Sequence, residues 1–132
     1  MKRAPLGSAS AATRKAQIEA AERDLGAKLP REYRDRLAAR NGGDLSTAGE
    51  DWRIFPLLDS GDARTAAKHI VLETRNARAL EGFPKDAVAI ASNGKGDFLV
   101  LVPEGSPGGL DPQLQLWNHE TRKCKPVALR YE

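Results

Sequence analysis

Apolar residues recur along this chain with two periods, and the switch between them divides it. From about Ala12 to Leu25, Ile18, Ala21 and Leu25 fall on one face at helical spacing, while Glu19, Glu22 and Arg23 lie off it. That spacing predicts a helix, and Gly26 stops it by adopting left-handed backbone at little cost. A second helix is predicted after Pro30, whose missing N–H is not needed in a first helical turn. Tyr33 and Leu37 lie four apart and face one side, and Gly42-Gly43 ends this helix. The two make a helical hairpin with a short loop.

From Leu45 the pattern changes. Trp52–Asp59 (WRIFPLLD) is apolar and β-prone, but Pro56 cannot donate to a ladder, which predicts an edge strand or a bulged one. Ala66, Ile70, Ala77 and Leu80 return to helical spacing and predict a third helix, capped by Asp62 or Thr65. Asp86–Ala91 reads as a short apolar strand. Phe98–Pro103 (FLVLVP) is apolar on both parities, the pattern of a strand covered on both faces. Leu114–Glu120 and Pro126–Tyr131 alternate, with TRKC turning the chain between them. Short connections between strands imply an antiparallel meander. The class expected is α+β, a mostly antiparallel sheet of about four to six strands with helices packed on it.

Length, charge and cysteine content narrow the setting. The 132 residues suit a single domain, expected over residues 13–132 behind a flexible basic tail at 1–12. The net charge of +3 comes from that end. Residues 1–15 carry Lys2, Arg3, Arg14 and Lys15 and no acid; without those four, 17 basic side chains face 18 acidic ones. A nucleic-acid binder needs a basic face on the folded domain, and the balance of the remainder does not supply one, so nucleic acid is not the expected partner. The single cysteine, Cys124, excludes an internal disulfide. The chain has no long apolar run and no secretory pattern, so no membrane association is expected and the location expected is the cytoplasm.

The candidate chemistry thins out on inspection. Ser92–Leu101 reads SNGKGDFLVL and looks like a phosphate cradle. A Walker A loop and a dinucleotide fingerprint both need a helix after the glycines, whereas here a strand follows. A turn rich in Asn and Gly between two strands is a hairpin. Gly94 and Gly96 let it turn, and Asp97 is expected to fix it through its side chain. His119-Glu120 lacks the second histidine of a zincin helix, since position 123 is Lys123. His69 falls in a predicted helix. Cys124 is flanked by Lys123 and Lys125, which could lower a thiol pKa, but no base or orienting group accompanies it. No catalytic residue, metal ligand or cofactor site is expected, and the chain reads as a non-enzyme.

In order, these pieces resemble the SUKH superfamily, the Smi/Knr type of cell-wall regulators and immunity proteins. The opening signature is an acidic helix, then LG-x-x-LP-x-x-Y, a leucine and N-G-G. It is carried here by Leu25, Gly26, Leu29, Pro30, Tyr33, Leu37, Asn41, Gly42 and Gly43. A Gly-rich turn ending in GD between apolar strands is carried by Ile90, Gly94, Gly96, Asp97 and Leu99. An aromatic-x-H-E strand is carried by Trp117, His119 and Glu120. One departure is Arg36, where the family commonly has a bulky aromatic; this weakens a core contact or moves the arginine to the rim. The resemblance implies helices on a mostly antiparallel sheet and a role without catalysis. In bacteria many such proteins bind and block a cognate toxin, often a nuclease, and a toxin encoded by an adjacent gene is the partner expected. Local acids around an aromatic would suit a basic partner: Glu50, Asp51 and Asp59 around Trp52, and Asp97 with Glu104. The alternatives are a regulatory or scaffolding module of the same fold and a nucleic-acid binder acting through the tail.

Overall fold

The computed structural model describes residues 11–128. Helix α1 spans Ala11–Leu25 and α2 spans Arg31–Ala39. The strands are β1 (Asp44–Thr47), β2 (Glu50–Ile54), β3 (Val88–Ser92), β4 (Phe98–Leu101), β5 (Gln115–Asn118) and β6 (Lys123–Pro126). Helix α3 (Ile70–Arg78) lies between β2 and β3 in sequence. Among the described residues the sheet has six strands in sequential order, all neighbours antiparallel. This is the α+β class expected.

The signature residues act as joints. Gly26 has φ +71°, and its N–H and that of Ala27 donate to the Glu22 carbonyl, closing α1. The buried Glu22 carboxylate then accepts the Leu29 N–H at 2.8 Å, so the turn into α2 leaves no orphan donor there. Leu29, Tyr33 and Leu37 enter the core with Ile18, Ala21 and Leu25. Asn41 acts like a strand residue. Its Oδ1 accepts the Leu57 N–H at 2.7 Å and its Nδ2 donates to the Leu57 carbonyl at 3.2 Å. Arg36 is at neither the rim nor a plain apolar contact. It is buried, and its guanidinium donates to the Arg40 carbonyl at 2.6 Å.

Strand register sorts the sheet into two faces. Ile54, Ala91, Leu99 and Leu116 are successive partners, as are Leu45 and Trp52. All six are buried, in one cluster with the helices. At the irregularity between Ala89 and Ala91, β3 borrows a partner from α3: the Thr74 hydroxyl donates to the Ala89 carbonyl and accepts its N–H, both at 3.2 Å. Such a bond at a fully buried hydroxyl satisfies both groups.

Several sequence expectations are corrected here. Strand β2 is not an edge, because β1, too short and polar to signal itself, pairs outside it. Pro56 lies beyond β2, where only its carbonyl is used, by the Ile70 N–H at 2.7 Å. Helix α3 starts at Ile70 and is capped by His69, not by Asp62 or Thr65; Asp62 caps a separate 3-10 turn at Ala63–Thr65. Ala66 lies outside the helix, and Leu80 is beyond its end and exposed. Strand β6 begins at Lys123, and the turn before it is correspondingly earlier. The strand predicted at 126–131 is displaced: β6 ends at Pro126, where that prediction begins, and Val127 and Ala128 lie outside it, while 129–131 fall outside the described residues, as does most of the expected tail at 1–12; α1 already begins at Ala11.

Candidate functional site

The second face of the sheet carries the row Asp44, Arg53, Ser92, Phe98, Trp117 and Cys124, each paired with the next across the six strands. Its two halves differ. The aromatic half is closed: Phe83 packs edge-on against Trp117 at 5.3 Å and Phe98 at 6.1 Å, and the Trp117 indole N–H donates to the Gly82 carbonyl at 3.1 Å. The polar half is open and forms one side of a cleft of about 770 Å³. Arg53, Phe55 and Phe98 line it from the sheet, Asp62, Arg64 and Lys68 from the β2–α3 segment, and Ser92, Asn93 and Gly94 from the β3–β4 turn.

The wall of this cleft is braced by side chains. Asn41 pins Leu57 at its start. The buried Thr65 hydroxyl accepts the Asp59 N–H at 2.9 Å and lies 2.9 Å from the Asp62 carbonyl, tying the segment to itself. Arg64 donates to both Asp62 oxygens, at 3.1 and 2.8 Å, and this bond from the guanidinium holds the Asp62 carboxyl below its ordinary value. Acids Asp44, Asp51, Asp62 and Glu73 line the cleft with bases Arg53, Arg64 and Lys68. The mixture offers neither the basic stripe of a nucleic-acid surface nor a uniformly acidic face.

At one end of the sheet the three hairpin tips are joined. The Asp97 carboxylate accepts the His119 N–H at 3.0 Å, and His119 Nδ1 lies 2.6 Å from the same oxygen. Its other oxygen accepts from Asn93 Nδ2 at 3.0 Å. Asn93 Nδ2 and Lys95 Nζ both reach Glu50 Oε1 at 3.3 Å. Burial raises the Asp97 pKa, but the bonds from His119 and Asn93 outweigh it and hold the carboxyl below its ordinary value. Gly96 has φ +103°, and a Cβ there would sit 3.1 Å from the His119 ring. SNGKGDFLVL is therefore a hairpin whose glycine also seats a neighbouring histidine.

The six residues proposed from sequence for a partner do not form one patch. Asp51 lines the cleft, exposed, and accepts from Ser46 at 2.7 Å. Glu50 and Asp97 belong to the tip network. Trp52 is 1% exposed and donates its indole N–H to the Thr47 carbonyl, so its ring has no surface to offer. The Asp59 carboxylate accepts the Gly61 N–H within its own loop, and Glu104 accepts from Ser106 in the Pro/Gly loop. Sequence reasoning missed Arg53, Arg64, Lys68 and Asn93. Arg53 carried a usable signal, a charge between two inward apolar residues, which places it on the opposite face. The others reach the cleft through loops, which have no period.

The reactive side chains lie elsewhere. Cys124 is half-buried on β6, and burial pushes its thiol up, against the lowering that its flanking lysines suggested. His119 has Asp97 as an orienting partner, but among the described residues no hydroxyl or thiol is bonded to its ring. No helix among the described residues is long and apolar enough to cross a membrane. Residues 12–130 match the model of the SMI1 / KNR4 family (SUKH-1). No curated protein and no solved structure matches the chain.

Proposed function

Because the chain belongs to the SMI1 / KNR4 family (SUKH-1), we propose that it is a non-catalytic protein-binding domain, an immunity protein that binds and blocks a cognate toxin encoded beside it. The observation that carries this reading is the braced open cleft beside Arg53, bordered by a side-chain-pinned wall and a networked turn. A surface held in place before binding loses little entropy when a partner docks. Its aromatic floor and mixed charges suit a protein segment with an apolar anchor flanked by polar contacts. Blocking then needs only occlusion of the partner's active site, and no group here has to react.

The test is co-expression with the product of the adjacent gene. A toxic product that is neutralised and co-purifies supports the reading. A product that is harmless alone, or that does not bind, overturns it. Arg53→Glu reverses a charge at the cleft with an exposed side chain, so it should weaken the complex at least about tenfold and leave the melting temperature unchanged. Unaltered binding would move the contact surface away from the cleft.

A further inference from the structure

His69 stands where the cleft wall ends and α3 begins. Its Nδ1 accepts the Leu72 N–H at 3.3 Å, and its carbonyl accepts the Glu73 N–H at 3.0 Å. The next donor, Ile70 N–H, is held by the Pro56 carbonyl at 2.7 Å, so the first turn of α3 is tied to the far end of the same segment. Lys68, immediately before, and Glu73, in the first turn, both line the cleft. Ser, Thr, Asp and Asn are the common residues for this capping position, and none of them becomes a cation. A histidine can cap only while Nδ1 is unprotonated. Protonation removes the acceptor and sets a positive charge against the positive end of the helix.

We propose that His69 is an acid-labile cap: neutral, it closes the first turn of α3, and protonated, it releases that turn and loosens the Asp62–Lys68 wall of the cleft. The groups acting on the ring are Arg75 and Glu73 on α3 and Asp24 on α1. Burial, first, and Arg75 disfavour the imidazolium, while Glu73 and Asp24 favour it; the balance lies below the ordinary histidine value. A lowered folded-state value means that the cap's contribution is complete above about pH 6.5, the unfolded value, and is lost as pH falls through the lower folded one. That window is the one in which histidine alone among unperturbed side chains changes charge. This inference depends on no particular partner.

Amide exchange followed by NMR from pH 7.5 to 5 tests it, with rates corrected for the intrinsic pH dependence. Protection at Leu72 should fall about tenfold, the order of a lost cap, with a midpoint matching the titration of the His69 ring. The Arg64, Thr65 and Ala66 amides, bonded to Asp62 and Ala63 within the wall, should lose protection with the same midpoint. His69→Asn retains a cap that does not titrate, so its protection should be flat across the range. His69→Ala should be low throughout. Flat protection in the natural protein, or the same fall in His69→Asn, overturns the proposal. A fall at Leu72 alone overturns its extension to the wall.

Discussion

Trp52 and Arg53 are neighbours on β2 and point to opposite faces of the sheet. Trp52, with Leu45 and Ile54, is buried in the same core cluster as the inward residues of the helices. Arg53, with Asp44 and Ser92, borders the open cleft. Apolar burial stabilises the first face by roughly 1.5–3 kcal/mol for each large side chain. The second contributes little to stability, since its Asp44–Arg53 ion pair spans 3.9 Å between exposed side chains and such pairs are worth about 0–1 kcal/mol. The first face, with the closed Phe83–Trp117–Phe98 half of the second, therefore holds the fold, and the open polar half around Arg53 is free to change without unfolding it.

The sharpest way to break this comparison is truncation on either side of one peptide bond. Trp52→Ala should cost about 3–5 kcal/mol, and Arg53→Ala less than about 0.5 kcal/mol, both read by chemical denaturation. Similar losses for the two would mean that the open face carries stability after all.

The next effect separates two glycines of one turn. Gly94 and Gly96 both have positive φ, but a Cβ at Gly94 meets nothing within 4 Å, while one at Gly96 meets the His119 ring. Gly96→Val should cost about 2–3 kcal/mol and Gly94→Val about 1–2 kcal/mol, for backbone alone. Equal losses would show that the His119 seat has no energetic consequence. A fully stable Gly94→Val that no longer binds its partner would make the turn itself a contact.

The smallest effect is electrostatic. The folded-state pKa of Asp97 is lowered, so its contribution is complete above the ordinary carboxylate value, about pH 3.9. It is lost as pH falls through the lower folded value. Denaturation midpoints between pH 7 and 2 should show this acid step, and Asp97→Asn should reduce it. An unchanged step would place the acid sensitivity outside the tip network.

The readable parts of the sequence were those with a period or a strained backbone. Helix α1, the inward residues of β4 and the hairpin at Asn93–Gly96 follow from spacing and from glycine's tolerance of positive φ. Strand β1 was not legible, because Asp44–Thr47 has one apolar residue and is recognised only by its pairing with β2. The cap of α3 was missed for a related reason: histidine is not a common cap, and its role rests on a single side-chain geometry. Of the site, Asp51 was foreseen and Trp52 was misplaced, since a tryptophan beside acids reads equally well as anchor or as core.

Local forces acting within a few residues, such as turn chemistry, helix stops and alternating burial, are written in the order of the chain, and so the class of fold and the joint Leu25–Pro30 could be read from it, whereas α2 ends at Ala39 on an extended Arg40 and not at Gly42-Gly43. The cleft could not. It exists because Asn41 reaches Leu57, sixteen residues away, and Asp97 reaches His119, twenty-two residues away. Pairings of that range depend on which strands become neighbours, a choice made by the packing of the whole sheet and not by any segment of it.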